Sequence, residues 1–178
     1  ARLAHPSIVG LYNFFIESDV YYMVMEYVEG KMLKDEIAIT GPIPEQRSLS
    51  IFQQVISALA YAHAKGIIHR DIKPSNIMID GNDNVKVMDF GIARLMSDKH
   101  LTRTGAKLGT LYYMSPEQVL AVKDIDHRTD IYSAGVVLYE MLTGRLPFNA
   151  DTDSDFVVMK EITESTIPDP RGVYPHIS

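Results

Sequence analysis

The chain has 178 residues, of which 46% are hydrophobic and 22% charged, as in an ordinary globular domain with its own core. No apolar run approaches the roughly 18 residues that a membrane-spanning helix needs, and the absence of Cys excludes disulfides and Cys-ligated metals. The net charge of -6 argues against a general nucleic-acid binder, because no excess of basic residues would attract a phosphate backbone.

The first part of the chain predicts one strand and one long helix. The run VYYMVMEYV at 20–28 is apolar and rich in residues that favour strands, so we expect a buried strand there. A helix is expected to begin at Pro44 and Glu45, and Gly66 stands where a glycine commonly ends a helix. The predicted core face of that helix consists of apolar residues at helical spacing: Leu49, Phe52, Val55, Ile56 and Leu59.

A polar loop and a short hairpin are expected next. The strands of the hairpin are predicted at Ile77–Ile79 and Val85–Met88, on either side of the turn sequence DGND at 80–83. The preceding stretch, GIIHRDIKPSN at 66–76, places six polar side chains between the apolar pairs at 67–68 and 77–78. Burying so much polarity is costly unless the groups are paired with one another or serve a function.

Helices dominate the rest of the chain. The segment 130–143 is apolar nearly all round, which predicts a helix buried in the centre of the domain and ended by Gly144. The stretch from Thr152 to Asp155 resembles a capping box, so a final helix is expected to run to about Ile162. No internal repeat or linker-like stretch interrupts the chain, and a single compact unit is therefore predicted.

Three oxygen donors flank the predicted hairpin and indicate a metal site. Asp71, Asn76 and Asp89 offer carboxylate and amide oxygens, which are the ligands that Mg²⁺ prefers alongside water and substrate phosphates. Lys73 places a cation beside Asp71, where it would neutralise charge on a phosphate. Gly91 permits a sharp turn of the backbone behind Asp89. Each residue alone is a weak signal, but together and in this order they favour phosphate chemistry.

Three motifs give the sequence a family resemblance. The runs HRDIKPSN at 69–76, DFG at 89–91 and SPE at 115–117 resemble the large lobe of a protein kinase. The resemblance covers essentially the whole chain and implies an α+β, protein-kinase-like fold with a mainly helical large lobe, a hinge and the last strands of the small lobe. It also implies the cofactors ATP and Mg²⁺ and protein substrates.

The resemblance assigns roles to the residues of the polar loop. It implies that Asp71 accepts or orients the proton of the substrate hydroxyl and that Lys73 steadies the transferred phosphoryl group, while Asn76 and Asp89 hold Mg²⁺. His69 and Phe90 are expected to be core residues that belong to the stacked spine of the family. Asp130 is expected to bind the backbone of the polar loop from the central helix. The alternative is a polar loop with internal salt bridges, which the downstream motifs disfavour.

The nucleotide-binding residues follow from the same resemblance. Met25 lies at the gatekeeper position of the family, and the backbones of Glu26 and Val28 would meet the adenine. Met78 would pack beneath the adenine ring.

The substrate and regulatory residues also rest on this resemblance. Lys73 and the docking residue Thr110 favour transfer to serine and threonine rather than tyrosine. Arg70 would bind a phosphorylated activation loop, with Thr102 and Thr104 as candidate phosphorylation sites. Their surroundings and the run YMSPEQ at 113–118 are most similar to bacterial kinases of the eukaryotic-like type. The alternative for both threonines is that they are simply solvated.

The chain is expected to be part of a larger domain. Residues 1–28 would be the end of the small lobe and the hinge, and residues 29–178 a large lobe without its last helices. No G-x-G-x-x-G occurs, and the Lys that fixes ATP would precede Ala1. We therefore expect no kinase activity from the chain alone. For the longer protein we expect a cytoplasmic location, with or without a membrane anchor. Two alternatives remain open: a pseudokinase or scaffold without catalysis, and a small-molecule phosphotransferase.

Overall fold

A computed structural model describes residues 3–18, 20–90, 108–148, 152 and 154–178 of the chain. The strands in the described part are β1 (Leu11–Glu17), β2 (Val20–Met25), β3 (Lys31–Met32), β4 (Ile77–Ile79) and β5 (Val85–Val87). The helices there are α1 (Leu33–Thr40), α2 (Glu45–His63), α3 (Leu108–Leu111), α4 (Pro116–Val119), α5 (Arg128–Thr143), α6 (Asp155–Glu164) and α7 (Pro170–Val173), and a 3₁₀ turn spans Pro74–Asn76. None of these helices combines the length and apolarity needed to cross a bilayer.

The strands form two small antiparallel sheets. β1 pairs with β2 in a two-stranded hairpin, and β3, β4 and β5 pair in that order in the second sheet. The predicted hairpin of β4 and β5 is confirmed, with Ile77 opposite Val87 and Ile79 opposite Val85. These four side chains point into the core, because alternate residues of a strand share one face.

The prediction of a buried strand at 20–28 was wrong in its burial and its length. β2 ends at Met25, and every residue of the strand is exposed. Its only strand partner in the described residues is β1, which is also exposed at six of its seven positions. An apolar run predicts a strand, but it does not show whether another layer covers the strand.

The main core lies between α2, α5 and the three-stranded sheet. Both helices were predicted, and α5 carries ten buried residues, which confirms the expectation of a central helix. Gly144 ends α5 in the left-handed conformation, with φ of 68°. The buried face of α2 differs from the predicted one: Leu49 is exposed, whereas Ser48 and Ile51 are buried. α2 ends at His63, and Gly66 adopts φ of 72° beyond its end.

The predicted capping box before α6 was also wrong. Ser154 occupies the position before the helix, and its side chain accepts no capping hydrogen bond. The Thr152 hydroxyl instead accepts from the backbone N–H of Ser154 at 3.2 Å, two residues along the chain. Threonine hydroxyls make such local bonds in competition with caps. α6 continues to Glu164, and the described chain then forms the short helix α7.

A charge cluster around the buried Glu36 ties α1 and α2 to the β4–β5 turn. Glu36 is 3% exposed and forms ion pairs with Lys31 and Arg47. The guanidinium of Arg47 also donates to Asp83, with Nη2 to Oδ1 at 2.8 Å and Nε to Oδ2 at 3.0 Å. Hydrogen bonds from Lys31 and then Arg47 lower the pKa of Glu36, and the hydrogen bond from Arg47 lowers that of Asp83.

We predict that Arg47→Met destabilises the protein by roughly 2–3 kcal/mol at neutral pH, because it leaves Glu36 buried with one cation fewer. Loss of one partner from a fully buried pair costs about 3–5 kcal/mol, and Arg47 keeps some contact with solvent. Chemical denaturation measures the difference. Arg128→Met is the matched control, since Arg128 pairs with Asp126 on the surface and should change stability little.

The same variant should show a defined pH dependence. Folding favours the ionised forms of Glu36 and Asp83, so their contribution is fully present above the ordinary carboxyl pKa of about 4. It is lost as pH falls through the lowered folded-state values. The stability gap between the native protein and Arg47→Met should therefore shrink below about pH 4. An equal gap at pH 7 and at pH 3 would contradict this assignment.

Candidate active site

The polar loop at 69–76 is fixed to α5 by one buried carboxylate. Asp130 is completely buried, and its Oδ2 and Oδ1 accept from the backbone N–H groups of His69 at 2.8 Å and Arg70 at 2.7 Å. This confirms the predicted role of Asp130. The Nε2 atom of His63 lies 2.7 Å from the same Oδ2. Nothing in the sequence near His63 signals this third partner, because the two residues are 67 positions apart.

The imidazole of His69 links the loop to the residues before the DFG motif. Its Nε2 lies 2.7 Å from the carbonyl oxygen of Met88, which only accepts, so Nε2 carries the proton. Its Nδ1 is then the acceptor for the backbone N–H of Asp71 at 3.2 Å. Burial lowers the pKa of His69, in keeping with this neutral form. The centroid of the ring lies 4.6 Å from that of Phe90, and the two rings meet edge-on. His69 is buried, as predicted, and Phe90 is half-buried against the core.

Three predicted residues form one hydrogen-bonded row. The Nζ atom of Lys73 lies 2.8 Å from Oδ2 of Asp71 and donates to Oγ1 of Thr110 at 3.0 Å. Thr110 belongs to α3, so the row connects the polar loop with a segment 37 residues further along the chain. A carboxylate, an ammonium and a hydroxyl thus share one surface, where the carboxylate can accept a proton and the ammonium can meet an anion.

The amide of Asn76 is oriented by Asp71. Its Nδ2 donates to the backbone oxygen of Asp71 at 2.8 Å and to Oδ2 of the same residue at 3.0 Å. Both bonds use the amide nitrogen, so Oδ1 is the atom that Asn76 can offer to a cation. Asp89 follows β5 and adopts φ of 62°. The donor set of one amide and one or two carboxylates fits Mg²⁺, which keeps several waters and binds phosphates for its other positions.

Among the described residues, no cluster of three or more His, Cys, Asp or Glu side chains is placed to hold a metal ion.

Glu26, directly after β2, is held by hydrogen bonds of its backbone and of its side chain. The N–H of Glu26 donates to the carbonyl of Gly10 at 2.7 Å and thereby fixes the backbone at this point. Its carboxylate accepts from the N–H of Gly10 at 2.9 Å and pairs with Lys86 at 2.6 Å. The hydrogen bond from Lys86 is the main cause of the lowered pKa of Glu26. Val28 is half-buried two residues further on.

The two predicted methionines lie at the edges of this backbone segment. Met25 is the last residue of β2 and is exposed. Met78 is half-buried on β4, opposite Met32 of β3, on the side away from the core residues Ile77 and Ile79.

The segment after Thr110 is held by buried polar contacts with α5. The hydroxyl of Tyr113 donates to Oε2 of Glu140 at 2.6 Å, and the hydroxyl of Ser133 donates to the carbonyl of Tyr113 at 2.6 Å. Burial raises the pKa of both Tyr113 and Glu140. These contacts fix the backbone that follows the docking residue.

The regulatory residues are only partly within the described structure. Arg70 adopts φ of 68°, a left-handed conformation that is uncommon for a residue with a Cβ atom. Thr102 and Thr104 lie outside the described residues, as does Gly91. The predicted relation between Arg70 and the two threonines therefore stays a prediction.

A capping box that the sequence analysis overlooked begins α4. The N–H of Ser115 donates to Oε1 of Gln118 at 3.0 Å, and the N–H of Gln118 donates to the Ser115 hydroxyl. The sequence signal was available, since S-x-x-Q is one form of this motif. The Ser115 hydroxyl is fully buried and lies 2.7 Å from that of Thr129. The Ser115 hydroxyl thus takes part in two specific bonds.

We predict that Asp130→Asn weakens the contact between the loop and α5. An amide has one oxygen, so one of the two backbone N–H groups would face an NH₂ group, at a cost of about 1–3 kcal/mol. Chemical denaturation should show that loss, and hydrogen exchange should quicken at the amide of His69 or Arg70. Asp126→Asn, an exposed carboxylate near the start of the same helix, is the control. Equal exchange in both variants would contradict the assignment.

Comparison with known proteins identifies the family. The family described as "Protein kinase domain" matches residues 1–172. Serine/threonine-protein kinase PrkC of Bacillus subtilis is 49% identical over 155 residues, which is 85% of the chain and 23% of the relative. A probable serine/threonine-protein kinase of Clostridium acetobutylicum is 44% identical over 94% of the chain and 25% of its own length. Serine/threonine-protein kinase PknB of Mycobacterium leprae is 45% identical over 94% of the chain and 28% of its own length.

These relatives are all much longer than the chain and all belong to one class of kinase. The chain spans about a quarter of each of them. All three are bacterial and are named as serine/threonine kinases, which agrees with the class predicted from Lys73 and the run at 113–118. The chain therefore belongs to the protein kinase domain family, and its relatives there are bacterial kinases of the eukaryotic-like serine/threonine type.

Proposed function

We propose that the protein which contains this chain transfers the γ-phosphoryl group of ATP to serine and threonine hydroxyls of other proteins. The observation that carries the proposal is the hydrogen-bonded row of Asp71, Lys73 and Thr110. It supplies a proton acceptor and a cation on one surface, and phosphoryl transfer depends mainly on positioning and charge stabilisation.

Asp71 is the proposed catalytic base. Its carboxylate is 40% exposed, so a substrate hydroxyl can reach it, while Asn76 and Lys73 restrict its orientation. It accepts the hydroxyl proton as the oxygen of the substrate attacks phosphorus, and Lys73 balances the negative charge that gathers on the transferred group. The hydroxyl of Thr110 keeps Lys73 in place and carries the docking segment to the same point.

Mg²⁺ and ATP are the proposed cofactors, with Asn76 and Asp89 as metal ligands. When bound, the ion neutralises charge on the phosphates and orients the group that leaves. The backbones of Glu26 and Val28 are proposed to bind the adenine edge, beside Met25 and above Met78. The bond from the N–H of Glu26 to Gly10 supports this arrangement, because it fixes the backbone at Glu26.

A pseudokinase would not need this arrangement. None of the described contacts favours that alternative, since the carboxylate, lysine and asparagine are all present and bonded to one another. The proposed partners are proteins that present serine or threonine, and the net charge of -6 gives no support to nucleic acid as a partner. The cytoplasmic location stays a prediction.

Phosphorylation at Thr102 or Thr104 is the proposed switch. A phosphate adds roughly −1.5 to −2 charges and can form about 1–3 charge-assisted bonds with Arg70 and nearby cations. Such bonds would order the segment that leads to Thr110 and bring Thr110 and Tyr112 into line to receive substrate, so activity should follow phosphorylation.

We predict that Asp71→Asn in the full-length protein lowers kcat for a peptide substrate by at least about a hundredfold, because the substrate hydroxyl loses its proton acceptor. Thermal denaturation should show that the fold is kept. Asp89→Ala should instead abolish Mg²⁺-dependent nucleotide binding, which calorimetry measures.

The control for both variants is Asp126→Asn, whose carboxylate is exposed to a similar extent, 44% against 40% for Asp71. It should leave both measurements unchanged. Near-normal turnover by Asp71→Asn would show that the base has been assigned wrongly.

The switch predicts that the double variant Thr102→Ala/Thr104→Ala loses most of the activity of the full-length protein. Mass spectrometry of the active protein should find phosphate between Ser97 and Thr110. Full activity of the double variant, without phosphate in that segment, would leave both threonines as solvated residues.

A further inference from the structure

The side chain of Gln118 bridges three parts of the chain. Its Nε2 donates to the backbone carbonyl of Arg70 at 2.8 Å, across 48 residues of sequence. Its Oε1 accepts from the N–H of Ser115 at 3.0 Å and from the hydroxyl of Thr129 at 2.8 Å. All hydrogen-bonding groups of this amide except one N–H are thus used, and they reach the polar loop, the docking segment and α5.

The peptide groups on both sides of Arg70 are fixed by separate partners. Asp130 accepts from its N–H at 2.7 Å, and Gln118 donates to its carbonyl at 2.8 Å. Arg70 adopts φ of 68°, which a residue with a Cβ atom keeps only when its neighbours determine it. The carbonyl that Gln118 binds belongs to the peptide group shared with Asp71. A change at this bond therefore turns the backbone that carries the proposed base.

The other end of the bridge is buried and rigid. The hydroxyls of Ser115 and Thr129 lie 2.7 Å apart, and both side chains are fully buried. Thr129 immediately precedes Asp130 in α5, so the residue that binds the N–H of Arg70 and the residue that holds Gln118 lie in the same turn of one helix. Ser115 follows Thr110 by five residues, and the bridge thereby sets the docking segment relative to the loop.

We propose that Gln118 is a positioning residue for phosphoryl transfer, which holds the Arg70–Asp71 peptide group in register with the docking segment. This inference rests on the proposed function. The simpler reading is that Gln118 only caps α4. Its Oε1 suffices for that cap, whereas Nε2 is directed to the polar loop and takes no part in it.

The variant Gln118→Glu removes the hydrogen-bond donor of the side chain and keeps its acceptor. The carboxylate can still accept from Ser115 and Thr129, but it no longer donates to Arg70 and repels its carbonyl. In the full-length protein, kcat for a peptide substrate should fall roughly 10- to 100-fold, the loss expected when reacting groups shift by about 1 Å. The KM for ATP should change less than twofold. Gln118→Met, which keeps the length without polar atoms, should lower kcat to a similar extent and guards against an effect of charge alone.

Gln54 provides a matched control. Its Nε2 also donates to a backbone carbonyl, that of Asp83, at 2.8 Å, and its Oε1 accepts from the N–H of Val85 at 2.9 Å. Gln54→Glu and Gln54→Met make the same changes at a bridge on α2 that touches no proposed catalytic residue. They should lower the melting temperature as much as the Gln118 variants do and leave kcat within twofold of the native value.

Measurement in an Asp71→Asn background separates positioning from general damage. If Gln118 acts through Asp71, Gln118→Glu should cause little further loss of kcat once the carboxylate is gone, because residues that act as a unit are not additive. A purely structural defect would lower the residual rate by the same factor in both backgrounds. That result, or equal kcat values for the Gln118 and Gln54 variants, would overturn the inference and leave the proposed function standing. If Asp71→Asn did not reduce the rate of the otherwise native protein, both the inference and the proposed function would be overturned.

Discussion

The contact between Asp130 and the backbone of the polar loop is the interaction on which the rest of the site depends. A fully buried carboxylate is costly to desolvate unless donors surround it. Asp130 meets this condition with the N–H groups of His69 and Arg70 and with the ring of His63. It also lies in the first turn of α5, where the helix dipole favours negative charge. The loop cannot move away from α5 without leaving this charge unpaired.

Two of the five non-glycine residues with positive φ in the described structure lie next to the proposed reacting groups. Arg70 precedes the base and Asp89 is the proposed metal ligand, and both have φ above 60°. Each such residue costs about 1–3 kcal/mol and persists only where its surroundings fix it. Asp130 and Gln118 fix Arg70, and the bond from His69 to Met88 restrains the chain just before Asp89. The fold thus uses buried polar bonds to hold two unfavourable turns.

Local patterns predicted the longer helices and the central hairpin, but they missed the short helices and did not predict burial well. The β4–β5 hairpin and the central helix were found, because turn residues and continuous apolarity are local signals. The burial of β2 and of Leu49 was wrong, since periodicity shows which residues are apolar and not which neighbour covers them. Thr152 was predicted to cap a helix, but its hydroxyl accepts from the N–H of Ser154, two residues along the chain. The capping box in the described structure is instead the S-x-x-Q motif that begins at Ser115.

In the site, too, the sequence identifies residues that lie in one short motif but not contacts between residues far apart in the chain. The motif at 69–76 names the groups that are proposed to react, and the bonded row of Asp71, Lys73 and Thr110 agrees with that reading. The groups that hold them are distant in sequence: His63 is 67 residues from Asp130, and Gln118 is 48 from Arg70. Pairs so far apart produce no periodic pattern in the sequence from which they could be predicted. They are hydrogen bonds rather than apolar contacts because a hydrogen bond fixes direction as well as distance. Phosphoryl transfer depends on orientation, so the residues that supply direction belong to the site as much as those that touch the substrate.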